Sequence, residues 1–210
     1  MKIIKTYALS KDSLEEDIDG FIRSAKKGAY QYDYKYGQEG LKLIKAYFRM
    51  IEIEFKKQNF TTAKSCYKKL MFLLLQMEYN YFNYEDIVGK MNFEKFIGNY
   101  FTCLIKLSNV EELFKEYLEY LKVKEDYYFE SANRIILTQL PEKEKNEFVK
   151  LGEVESEKVG EEEYAMHDLI YFQLELAKAN KNKEKYIEIC EKYKKIVDEE
   201  QKEEYEEDTF

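Results

Sequence analysis

Proline is almost absent from this sequence, with Pro141 standing alone. Together with only eight glycines and 36% charged residues, that scarcity favours long helices over a β sandwich, which would need many turn residues. What remains is a chain of helices joined by short polar breaks. Histidine is equally scarce, His167 being the one imidazole, and tryptophan is missing. The three cysteines, Cys66, Cys103 and Cys190, lie far apart with no CxxC pair and no Cys/His cluster. Neither a disulfide framework nor a metal site is therefore expected. Each cysteine has apolar neighbours at helical spacing, the pattern of a buried thiol in a reducing compartment. The longest strongly apolar run, LMFLLLQM at 70–77, falls far short of the roughly 20 residues that span a bilayer. The opening MKIIKTYALSKDS is too short and too interrupted for a signal peptide, so a cytoplasmic, membrane-free protein is expected.

Against these absences stand 20 tyrosines and 14 phenylalanines in 210 residues. A chain of this length buries about 70% of its unfolded surface on folding, so it needs no covalent staple. The net charge of −8 is unevenly spread. DEEQKEEYEED at 198–208 holds eight acids and one lysine, whereas residues 26–69 hold eleven Lys/Arg and four acids. A basic front half thus precedes an acidic tail.

Apolar spacing of three and four residues recurs along the whole chain. Leu14, Ile18, Phe21 and Ala25 share one helical face, which Gly28 should end. YQYDYKY at 30–36 reads as a connector or an irregular first turn of the next helix rather than an exposed strand. A helix over about 39–57 carries Leu43, Ile44, Tyr47 and Ile51 inward. The next, opened by Thr61 or Thr62, has the widest apolar stripe: Ala63, Cys66, Tyr67, Leu70, Leu73, Leu74 and Met77. Asn92 should cap a helix bearing Phe93, Phe96, Ile97, Tyr100, Leu104 and Leu107. Asn109 with Glu112 resembles a capping box for the one after it. Tyr128, Ala132, Ile135 and Ile136 mark another, Pro141 opens a further one, and Gly152 should stop it. The last pair runs over about 162–178 and 182–204. The expected domains are a helical-hairpin array at 1–152, an acidic loop at 153–163, a C-terminal hairpin packed on the array at 164–197, and an acidic tail at 198–210.

Chemistry finds little purchase. His167 and Asp168 are adjacent on a helix and point in different directions, so they form no dyad. The carboxylates sit in charged runs rather than pairing across apolar positions. GQEG at 37–40 lacks the Lys-Ser/Thr of a phosphate loop and follows no strand. No catalytic residue, cofactor site or metal site is expected, and the chain reads as noncatalytic.

KKQNFTTAKSCYKKL at 56–70 places Phe60, Ala63, Tyr67 and Leu70 three, four and three residues apart after a polar break. With Tyr47 on the preceding helix, this stretch resembles a tetratricopeptide-repeat hairpin, although no 34-residue period continues it. The same offsets recur at Val110, Leu113, Tyr117, Tyr120 and at Tyr186, Ile189, Tyr193, Ile196. The resemblance implies an all-α stack of eight or nine antiparallel helices, the alternative being an irregular helical bundle. It also implies an adaptor or scaffold that binds a protein or peptide. A second reading takes Lys56, Lys57, Lys64, Lys68 and Lys69 as contacts for nucleic acid or another polyanion. Arginine, the better reader of base edges, is limited to Arg23, Arg49 and Arg134, which argues against sequence-specific recognition. A third uses Tyr32, Tyr34, Tyr36, Tyr81 and Tyr84 as an interface, including one between copies of the chain.

Overall fold

The structure, a computed structural model, describes residues 14–31, 39–76, 82, 87–124, 127–157, 164–194 and 196–197, the side chains of 164–166 excepted. The protein is all-helical. Nine helices lie among the described residues: α1 (Leu14–Lys26), α2 (Glu39–Lys56), α3 (Phe60–Leu75), α4 (Phe93–Leu107), α5 (Val110–Lys124), α6 (Ser131–Gln139), α7 (Glu142–Ser156), α8 (Tyr164–Ala179) and α9 (Lys183–Lys192). They divide into two units, residues 1–107 with 127–131, and residues 108–126 with 132–210.

In the first unit α3 is the hub, packing against α1, α2 and α4. Its sequence explains this, because Leu70 through Leu75 are all buried and no side of its second half faces water. The polar side of its first half meets α1. Glu15 and Asp19, one turn apart, face Ser65 and Lys69, also one turn apart. Ser65 Oγ donates to Glu15 at 2.9 Å and Lys69 Nζ to Asp19 at 2.9 Å. Partly exposed pairs of this kind contribute at most about 1 kcal/mol each, but they set the register of one helix on the other. The bond to Asp19 holds the Lys69 ammonium above its ordinary pKa.

Helix ends follow local chemistry. Gly28 adopts φ +81°, with its N–H on Ala25 O and the Ala29 N–H on Ser24 O, a Schellman end of the kind a glycine permits. The same bonding closes α2 at Gln58 (φ 64°) and α8 at Lys181 (φ 52°), where a side chain occupies the left-handed position. A left-handed residue with a Cβ is strained by about 1–2 kcal/mol. Gln58→Gly and Lys181→Gly are therefore each expected to stabilise the fold, by up to about 1 kcal/mol after the entropy of an added glycine. A lowered urea midpoint for both would contradict the assigned turns. Asn92, Asn109 and Asn182 cap α4, α5 and α9 by accepting the N–H of Lys95, Glu112 and Lys185.

The second unit is built on α5, α7 and α8, with α9 folded back on α8. Phe114 and Tyr117 of α5, Phe148 of α7 and Phe172 of α8 meet with ring centroids 5.1–5.9 Å apart. Tyr186, Ile189 and Cys190 of α9 close against Ile170, Leu174 and Ala177 of α8.

Several sequence expectations need correction. The third helix starts at Phe60 rather than Thr61 or Thr62, where the Phe60 ring meets Phe55 edge-on at 5.8 Å. Leu107, at the end of α4, is 42% exposed, and Tyr128 is 74% exposed and precedes α6 rather than lying on it. Gly152 does not stop α7, and residues 153–156, expected in an acidic loop, are helical. Gly152 is buried where α7 packs against α5 and α8, and a Cβ there would fit in ordinary contact, 3.9 Å from Leu169 and 3.9 Å from Phe114. The last helix ends at Lys192, where the N–H groups of Ile196 and Val197 turn back to Tyr193 O and those two side chains are buried. Residues 158–163, the 198–210 tail and Met77 lie outside the described residues.

Candidate binding groove

The structure divides the five lysines expected to act together. Lys56 Nζ lies 2.8 Å from Glu52, and Lys57 Nζ lies 3.0 Å from Glu54, each within its own helix or its end. Lys69 faces α1, as described. Lys68 lies over the Phe72 ring at 5.5 Å, and Lys64 is half-buried on the same helix. Bonds from Lys56 and Lys95 hold the Glu52 carboxyl below its ordinary value, and bonds from Lys57 and Asn59 do the same for Glu54. At least three of the five cations, Lys56, Lys57 and Lys69, thus already have an anionic partner. Tyr32, Tyr34, Tyr36, Tyr81 and Tyr84 lie outside the described residues.

A different set of residues comes together in the first unit. Phe48 of α2 stacks face to face on Phe96 of α4 at 4.0 Å and 2°. Phe93 meets both edge-on at 5.9 Å, Phe129 stacks on Phe93 at 6.1 Å, and Tyr127 stacks on Phe129 at 5.8 Å. The rings form a row running from buried Phe48 to half-buried Phe129 and Tyr127. Residues 127–131 are held to this row by Glu94, whose carboxylate accepts the N–H of Glu130 at 3.1 Å and of Ser131 at 2.9 Å.

Two hollows open along the row, on either side of Met91 and Asn92. One, of about 290 Å³, lies between α2 and the 90–92 turn, over Phe48 and Phe96, with Lys45, Arg49, Glu52 and Lys90 in its wall. The other, of about 280 Å³, is lined by Val88, Phe93, Tyr127 and Phe129, and its one acid, Glu94, is committed to the backbone. In the first, Glu52 is shared by Lys56 at 2.8 Å and Lys95 at 2.7 Å. Lys45 and Arg49, one helical turn apart, pair with no carboxylate among the described residues. The result is a cationic hollow beside an aromatic one.

Sequence reasoning missed this groove. Phe48 carries a signal, since it lies four after Ile44 and three before Ile51 on the same apolar face. Phe129 and Lys90 carry none, because both sit in short irregular segments that only the fold brings to α2.

The second unit places polar groups inside instead. Lys124 Nζ meets Asp168 at 2.9 Å with the lysine side chain 6% exposed, so Asp168 serves a buried ion pair rather than His167. Tyr117 donates to Asn133 at 2.8 Å, and Asn133 donates on to Glu175 at 3.0 Å. The signal for Lys124 was available: it lies seven after Tyr117 and four after Tyr120, on the buried stripe. A further hollow of about 180 Å³ is lined by Asn146, Gln173, Asn180 and Lys185, with Lys185 held by Glu153 and Glu188. Among the described residues no three His, Cys, Asp or Glu side chains gather as metal ligands, and no helix is long and apolar enough to cross a membrane.

Comparison of the chain with protein-family models, with curated proteins and with solved structures returned no match.

Proposed function

We propose that this chain is a noncatalytic cytoplasmic adaptor that binds a polypeptide segment in the groove between α2, the 87–92 turn and residues 127–129. The observation that carries the reading is the row of stacked rings ending at the surface beside Lys45 and Arg49, two cations with no carboxylate partner among the described residues. Each hollow lies just under the roughly 300–1,000 Å³ of small-molecule sites, a size suited to one or two side chains of a chain lying across it.

The tetratricopeptide-like hairpin belongs to this proposal. Ala63 is fully buried on α3, and buried Tyr67 reaches α4, accepting a hydrogen bond from Asn99 at 2.9 Å. A buried small residue and an aromatic that reaches the following helix support the reading. The packing of α1 on α3 departs from a plain stack of hairpins and favours a bundle at that end.

The nucleic-acid reading retains one specific support, since stacked aromatics beside cations also hold single strands. It is the weaker one, because the lysines it relied on are largely ion-paired. Selection of displayed random peptides on the full chain tests the choice. The expected result is an enriched set whose binding falls roughly tenfold with Phe129→Ala, the scale of losing one buried aromatic contact. Absence of any enriched peptide, together with oligonucleotide binding that weakens steeply with salt, would replace this reading with the other.

A further inference from the structure

We propose that the segment this groove accepts is acidic, with carboxylates placed within a few residues of one bulky apolar or aromatic side chain. The inference rests on the peptide-binding reading above and specifies its partner. The two hollows share Met91 and Asn92 as a common wall, so neighbouring side chains of one ligand reach both. Their chemistry differs. The α2 hollow offers Lys45, Arg49 and Lys90, and its one acid is neutralised by Lys56 and Lys95. Among the described residues Lys45 and Arg49 pair with no carboxylate, and the nearest acid, Glu52, is already shared by Lys56 and Lys95. Arg49 is exposed, and its planar fork suits a carboxylate held by two parallel bonds. The other hollow presents the faces and edges of Phe93, Phe129 and Tyr127 and no cation, so it selects an apolar side chain. A polycation is rejected by the first hollow, and a purely acidic chain leaves the second unfilled.

Fluorescence anisotropy with the full chain decides the matter, using four labelled probes. These are a short peptide of glutamates around one phenylalanine, the same with serine for phenylalanine, the same with lysines for glutamates, and oligothymidylate. The expected order puts the first probe tightest. Exchange of its phenylalanine for serine should weaken binding roughly ten- to hundredfold, the scale of one buried aromatic side chain. Arg49→Glu should weaken the first probe by at least about tenfold through like-charge repulsion, with Arg49→Ala giving a smaller loss. Both variants should keep the wild-type circular dichroism, because Arg49 is exposed. Equal binding of the serine or lysine peptide, tightest binding of oligothymidylate, indifference to Arg49→Glu, or no peptide binding would each overturn the inference. Selected random peptides that are neither acidic nor aromatic would sink this inference and leave the peptide reading standing. A selection that enriches no peptide would sink both.

Discussion

Lys124→Met is expected to destabilise the second unit by about 3 kcal/mol at neutral pH, the lower end of what breaking a buried ion pair costs. The lower end applies because the Asp168 side chain keeps 21% exposure while that of Lys124 keeps 6%. Burial raises the Asp168 carboxyl above its ordinary 3.8, Lys124 pulls it back by charge and by a hydrogen bond, and His167 adds a pull in the same direction. Removing Lys124 leaves burial almost unopposed. The sign of the pH dependence follows. An acid whose folded value exceeds its unfolded one favours folding most when protonated, and that contribution is lost as pH rises through the folded value. The deficit of Lys124→Met should therefore shrink as the pH is lowered from neutral toward 3.8. Adding Asp168→Asn should recover most of it, because the remaining buried charge is gone. Urea denaturation of the single and double variants across that range checks both statements. A deficit that grows on acidification would show that Asp168 is not the group left exposed to the penalty.

Phe148→Ala should cost about 3–5 kcal/mol, the range for truncating a buried aromatic. Phe148 is 1% exposed and meets Phe114 at 5.1 Å, Tyr117 at 5.4 Å and Phe172 at 5.3 Å, so one ring joins α5, α7 and α8. Truncation removes the ring that all three neighbours meet edge-on and leaves a cavity between the three helices. Phe148→Leu, which fills most of the volume, should cost much less. Denaturant unfolding followed by tyrosine fluorescence measures both. A loss below about 1 kcal/mol for the alanine variant would mean the four rings are not packed as described.

The parts of the fold that could be read from the residues are those that local chemistry decides. Asn92 and Asn109 cap helices because a short side-chain oxygen meets a free N–H three residues on, whatever the tertiary context. The burial of α3 followed from an apolar stripe too wide for a surface helix. Gly152 misled because a glycine's weak helix propensity was overridden by the burial of α7 against α5 and α8. Tyr128 misled because three aromatics in succession, 127–129, mimic a helical face while the chain there is irregular. The groove was hidden for a related reason. Lys45, Arg49, Lys90 and Phe129 come from three separate stretches, and no periodicity within any one of them points to the others. Lysines clustered in sequence drew attention instead, and folding gave most of them to carboxylates on their own or the adjacent helix.

The three cysteines have a practical consequence. Burial pushes the thiols of Cys66 and Cys103 up to about 12, so almost no thiolate exists in the folded chain near neutral pH. Cys190 is buried as well. A thiol-specific reagent therefore meets these sulfurs only when the helices around them part. Because Cys66 and Cys103 belong to the first unit and Cys190 to the second, the labelling rate at each site is a clock for the opening of its own unit. The chain carries its own reporters of whether its two halves come apart together or one at a time.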